Sequence, residues 1–405
     1  MIAVALVLGA VVARLASDRG GGRSDPAGDA APAPIALEPS PAAGAGSERY
    51  VSPGGDDRAR GSRARPWRTL RHAAGVVSAG TTVHVGPGRY AGPLRIARSG
   101  TASAPIRFVS DERWGARIGV HRAVPFAAVE LQGDHVSLEG FDVSAAGPDG
   151  TQAIDLEGDH DAAIGNRVHD VDVPCRATGN GGAGIVAGGG RTSYRNHDLL
   201  VAGNVIHDIG RGPAGCRLVH GIYAAVPRVT IINNVVARAL GDGITSWHAA
   251  RSLVIANNLS ADNGGAGILV GSGDTGAGRG NAHTLVSNNI VIDNAQQGIT
   301  EASDGTHRVG PGNRYLHNLA FANHGGDRSA RWGVGGLYPG AVVAGTVDAD
   351  PGFGPTAATA AGGFVPDPGS PAVDAGTSVG APPTDVRGVA RPQGGGVDIG
   401  PYEQG

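Results

Sequence analysis

The sequence predicts an all-β solenoid, a chain wound into stacked coils of short strands. Three observations carry that reading. A Gly-Ile pair recurs at Gly184-Ile185, Gly221-Ile222, Gly243-Ile244, Gly267-Ile268 and Gly298-Ile299, with spacings of 22 and 24 residues in the middle of the series. Asn-containing corners interleave with these pairs at Asn166, Asn204, Asn233-Asn234, Asn257-Asn258, Asn288-Asn289 and Asn318. A repeat of this length, built from short β-branched runs, is the signature of a solenoid. Composition agrees: 70 of 405 residues are Gly, 26 are Pro and only 4% are aromatic, so the interior must be built from Val, Ile, Leu and Ala. Small stacked aliphatics suit a narrow coil.

One coil reads as three strands and three turns. Val229-Thr230-Ile231 is a strand, Asn233-Asn234 a corner and Val235-Val236-Ala237 a second strand. Gly241-Asp242 then turns into a third strand, Ile244-Thr245-Ser246. Asn tolerates left-handed backbone, and its amide can bond the Asn of the coil above or below. The corners are therefore read as structural. Regular coils are expected over 129–345, preceded by a cap and first coils over 48–128. In the cap, Leu70, Ala73, Ala74 and Val77 recur at helical spacing after Pro66, which predicts a short helix plugging the first coil. A non-repeating segment, 346–405, is expected to close the other end.

The flanking sequence points to export. Ile2–Ala13 is an unbroken apolar stretch followed by Arg14, too short to span a bilayer comfortably. Residues 1–16 are expected to be a signal peptide or short anchor, and 17–47 an Ala/Gly/Pro-rich disordered linker. The mature protein is expected outside the cell or on its surface, touching a membrane only through that first segment, and as a monomer. Cys175 and Cys216 lie in long turns of consecutive coils. Coils stack about 4.8 Å apart, within disulfide reach; the alternative is two buried free thiols. Net charge is −3 with no basic run, which gives no footprint for nucleic acid. The chain contains no Lys, so any mechanism that needs a Lys base is excluded.

Beyond these local readings, the chain resembles right-handed parallel β-helix proteins of the pectate-lyase superfamily. Its opening Tyr50-Val51-Ser52-Pro53-Gly54-Gly55-Asp56 and its Pro66-Trp67-Arg68-Thr69-Leu70 block are similar to the N-terminal cap of many secreted bacterial β-helix lyases. Ser370-Pro371-Ala372-Val373-Asp374-Ala375-Gly376 and Asp398-Ile399-Gly400-Pro401-Tyr402-Glu403 resemble the closing segment of choice-of-anchor surface proteins. The resemblance implies a single right-handed parallel β-helix with capped ends. It also implies a polysaccharide partner lying along one sheet, placed here at the Gly-Ile strands.

Strand side chains alternate in and out. If the Ile residues point inward, the outer face carries two columns. One reads Gln152, Ala183, His220, Asp242, Ala266, Gln297; the other reads Asp155, Val186, Tyr223, Thr245, Leu269, Thr300. Polar groups gather at His220, Tyr223, Asp242 and Thr245, with Trp247, His248 and Glu301 just beyond. A carboxylate beside an imidazole can hold it ready as a base. His220 is thus the expected base, oriented by Asp242, with Tyr223 as acid. Arg191, Arg195, Arg211 and Arg217 flank this face and can neutralise a developing negative charge. Trp247 offers an apolar plate for a sugar ring, and His207 is kept as a further contact from an adjoining turn. The expected reaction is β-elimination on an acidic polysaccharide. The alternatives are a glycoside hydrolase using Asp242 and Glu301, which needs two carboxylates about 5–10 Å apart, and a non-catalytic carbohydrate-binding spacer. No cofactor is expected. A calcium-bridged lyase would want several clustered acids, and Asp155 with Glu157 is read as one strand's worth.

Overall fold

The computed structural model describes residues 46–404, apart from 121–125, 149–150, 176–180, 190–193, 213–215, 275–279, 306, 327–331 and 354–363. The signal-peptide segment lies outside the described residues, as does all but the last two residues of the linker. Three long parallel sheets of 11, 8 and 9 strands run the length of the molecule. From Thr81–Val85 to Leu319–Phe321 the chain visits them in rotation, one strand of each per coil, as a right-handed parallel β-helix does.

The coil read from the sequence is the coil observed. Thr230–Ile232 belongs to the 11-stranded sheet, Val235–Ala239 to the 9-stranded sheet, and Ile244–Ser246 to the 8-stranded sheet, here called the Gly-Ile sheet. Ile154, Ile185, Ile222, Ile244, Ile268 and Ile299 stack in register and are fully buried. Each contributes about 2–3 kcal/mol by leaving water, repeated coil after coil.

The Asn corners divide into two roles. Asn166, Asn204, Asn234, Asn258, Asn289 and Asn318 point inward and form one continuous ladder. In the middle of it, the Asn258 amide donates to Asn289 Oδ1 at 3.0 Å and to the Ile231 carbonyl at 2.8 Å, while its oxygen accepts from the backbone and side chain of Asn234. The preceding residues, Asn233, Asn257 and Asn288, hold left-handed backbone at φ of 55°, 54° and 53°. Their side chains turn outward to a different partner, the C-terminal segment. Asn233 donates to the Thr384 carbonyl, Asn257 to those of Asp398 and Gly400, and Asn288 to that of Thr377.

That segment runs back along the flank of the coils as a strap. Its own polar centre is Arg391, buried against Glu403 at 2.6 Å, with Asp385 and Asp398 binding strap backbone. At the other end the helix Leu70–Val76 buries Leu70, Ala73 and Ala74 over the first coil, capped by the Thr69 hydroxyl accepting from the His72 amide. Cys175 and Cys216 form a disulfide that joins consecutive coils. Among the described residues no helix is long and apolar enough to cross a membrane.

Candidate active site

Register decides which side chains share the outer face of the Gly-Ile sheet. Tyr223 pairs with Thr245, Thr245 with Leu269 and Leu269 with Thr300, while Ala183 pairs with both Gln152 and His220. Each column is thus in register along the sheet, but strict alternation would turn His220, two residues before Ile222, inward. It shares the face of Tyr223 because Gly221 and Ile222 both point inward, a Cβ on Gly221 lying 2.3 Å from the core residue Val236. Between the columns His220, Thr245 and Asp242 form a connected relay. Thr245 Oγ1 lies 3.1 Å from His220 Nδ1 and donates to Asp242 Oδ2 at 3.0 Å. Asp242 Oδ1 accepts the Ala266 amide at 2.7 Å, which fixes the carboxylate. Because the threonine proton is committed to Asp242, its oxygen accepts from His220 Nδ1–H. That bond assigns the tautomer: Nε2 carries the free lone pair. No hydrogen bond to Nε2 is made by the described residues.

Burial sets the electrostatics. His220 is 5% exposed, and desolvation holds its pKa below the ordinary histidine value of 6.5, with Asp242 opposing the shift. The imidazole is therefore neutral near pH 7. Tyr223 stacks on it with ring centroids 5.3 Å apart. Burial first, then Tyr194 and Asp274, push the Tyr223 phenol well above its usual range, so it stays protonated. The result is a neutral base and a protonated phenol side by side.

An aromatic wall continues from this pair. His248 meets Tyr223 edge-on at 5.9 Å and stacks on Tyr194 at 4.1 Å. Trp247 lies flat on the next coil, where only glycine fits: a Cβ on Gly271 would sit 2.4 Å from its ring and one on Gly273 2.5 Å. Its indole nitrogen donates to Asp274 at 3.3 Å. Tyr194 escaped the sequence reading because it sits in a turn with no repeat to align it. Thr245 pairs with Tyr223 in register, and the two residues after its strand, Trp247 and His248, follow on the same coil, His248 reaching the Tyr223 ring.

Other expected residues fall elsewhere. Glu301 pairs with Val270, a fully buried position, and so has inward parity. It is held by Asn313, by the Tyr315 hydroxyl at 2.6 Å and by the Tyr338 amide at 2.6 Å. It is a turn-building carboxylate, and the Asp242–Glu301 hydrolase pair does not assemble on one face. His207 lies on the 9-stranded sheet, stacked on His169 at 5.4 Å and bonded to Asp208 at 2.7 Å; it is a contact of that sheet instead of this site. Arg211 is paired with Asp172. Arg195 and Arg217 are exposed and make no ion pair among the described residues. Arg191 lies outside the described residues.

The acids two coils away are more clustered than the sequence reading allowed. Glu130 stands in register with Asp155, so Glu130, Asp155 and Glu157 are buried together. Oxygens of Asp155 and Glu157 both approach Gly189, where a Cβ would lie 3.1 Å from each. Glu130 is already held by both arms of the Arg95 fork and by Gln132. The three carboxylates do not converge within 4.8 Å of one another.

A three-sheeted parallel coil with its polar relay on a single outer face defines a right-handed β-helix protein. A model of the Pel9A-like right-handed beta helix region matches residues 49–331, and the chain belongs to that family. The crystal structure of pectate lyase Pel9A superposes with a TM-score of 0.57 at 15% identity, covering 89% of this chain and 96% of that one. That likeness is one of fold. An uncharacterized Bacillus subtilis protein, YwoF, is 44% identical over 69 residues, which are 17% of this chain and 15% of that protein's length.

Proposed function

We propose that this protein is an exported, monomeric enzyme that cleaves an acidic polysaccharide by β-elimination on the outer face of the Gly-Ile sheet. The observation that carries the proposal is the relay: a buried neutral imidazole with Nδ1 committed and Nε2 left over. In this reading His220 Nε2 takes the proton on the carbon next to the uronate carboxylate. The electron pair forms the ring double bond as the C–O bond to the leaving sugar breaks, and the Tyr223 phenol supplies a proton to that oxygen. Arg217 and Arg195 neutralise the charge that develops on the carboxylate. Tyr194, His248 and Trp247 provide faces for sugar rings, whose axial C–H bonds pack on aromatic surfaces. The family membership supports the substrate class, since one solved structure of similar fold is that of a pectate lyase.

The test is a screen of the purified protein on acidic and neutral polysaccharides, with and without chelator. Both unsaturated-uronate absorbance and new reducing ends are read. Absorbance that survives chelator is the expected result. Reducing ends without absorbance would replace elimination by hydrolysis. Binding without either product would make the protein a carbohydrate-binding spacer.

A further inference from the structure

A second cluster of donor atoms lies on another edge of the coils, outside the proposed reaction. We infer that His160, His197 and Asp198 form a binding site for a first-row transition-metal dication, zinc being the best match. One donor atom from each of the three lies within 4.8 Å of the other two. The chain has many His–Asp pairs, such as His169–Asp142 and His307–Asp304. Among the described residues only this cluster brings donor atoms of two imidazoles and a carboxylate within 4.8 Å of one another.

Local structure already holds the donors in place. His160 and Asp198 both occupy left-handed backbone, at φ of 59° and 60°, at the turns of successive coils. The His160 amide donates to the His197 carbonyl, and the His197 amide to Asp159 Oδ1 at 2.9 Å. His135 stacks on His160 at 4.5 Å and fixes its ring plane. Arg228 grips Asp198 with two bonds of 2.7 and 2.9 Å. Those bonds use one lone pair on each oxygen and leave others available.

A second observation points to a ligand. His197 Nδ1 and Asp198 Oδ2 are 2.8 Å apart, yet Nδ1 is buried and makes no hydrogen bond. Two donor atoms pressed together without hydrogen-bond alignment are suited to a shared third body. Tetrahedral zinc with bonds near 2.0–2.1 Å places neighbouring ligand atoms about 3.3 Å apart, so closure requires small side-chain shifts. Nitrogen and carboxylate donors select zinc, nickel or copper over calcium or magnesium. The ion would clip the turn at His160 to the segment that carries Tyr194, and so steady Tyr194 against His248.

The test is calorimetric titration of the chelator-stripped, dialysed full chain with zinc chloride alone. One equivalent is expected to bind. His160→Gln and His197→Gln should each weaken binding at least about tenfold, while His169→Gln leaves it unchanged. Zinc-edge X-ray absorption of the loaded wild-type protein, which needs no variant to fold, should show two imidazole nitrogens on the metal. No zinc uptake, uptake that survives both substitutions, or a spectrum without the imidazole pair would overturn the assignment.

Discussion

The inner Asn ladder and the His220 relay are built from the same kind of material, buried polar side chains passing hydrogen bonds between coils, yet they do opposite things. In the ladder every capacity is used. Asn258 donates twice and accepts twice; Asn234 above it also accepts twice, and its amide reaches three oxygens, those of Val201, Ile232 and Asn258. In the relay, Asp242 and Thr245 are satisfied while His220 keeps one nitrogen over. Saturated networks rigidify a fold. A network that ends in a leftover lone pair at the surface can do chemistry. Burial alone does not separate the two, since His220 is nearly as buried as the ladder.

Substitutions can break or sharpen that contrast. The largest stability effect is expected for Asn258→Ala, which strands partners on both neighbouring coils and should cost about 3 kcal/mol. Urea unfolding measures it, and turnover per folded molecule should not change. Glu301→Ala should behave alike on a smaller scale, about 2 kcal/mol, because its three partners, Asn313, Tyr315 in the strand Arg314–Leu316 and Tyr338, lie in one coil; a selective loss of turnover would return it to the site. Thr245→Val keeps shape but removes the hydroxyl that sets the His220 tautomer. It should lower kcat/KM about tenfold to a hundredfold with a nearly unchanged melting temperature.

The smallest effect is on pH. His220 has a folded pKa below its ordinary 6.5. The unfolded chain therefore binds this proton more readily, and the stability linked to His220 is fully present above pH 6.5 and is lost as pH falls through the lowered folded value. The acid limb of kcat/KM should likewise lie below pH 6.5. A limb above that value would mean that a different group is the base.

Much of this architecture was legible in the chain. The Gly-Ile spacing aligned the inward Ile column, and period-two alternation then placed Tyr223 and Thr245 on the outer face; His220 joins them only because Gly221 and Ile222 both face inward and break the alternation. The cysteines in equivalent turns foretold the disulfide. Glu301 could have been rejected by the same alternation, since Ile299 in and Thr300 out require Glu301 in. Glu130 was missed because its strand, Ala127–Leu131, carries no Gly-Ile pair to mark the register. Tyr194 and the His160–His197 juxtaposition were invisible for another reason. They sit in turns of unequal length, where no period carries from one coil to the next. The split of each Asn-Asn pair into an inward and an outward residue needed the strap, whose path along the flank no local pattern encodes.

The most direct test of the central claim is the turnover of His220→Gln on whichever polysaccharide the wild-type protein cleaves, followed by unsaturated-uronate absorbance alongside a thermal melt. The account predicts a loss of about a thousandfold or more with a melt close to wild type, because the ladder, and not the relay, holds the coils together. Retained activity in a well-folded His220→Gln protein would contradict it.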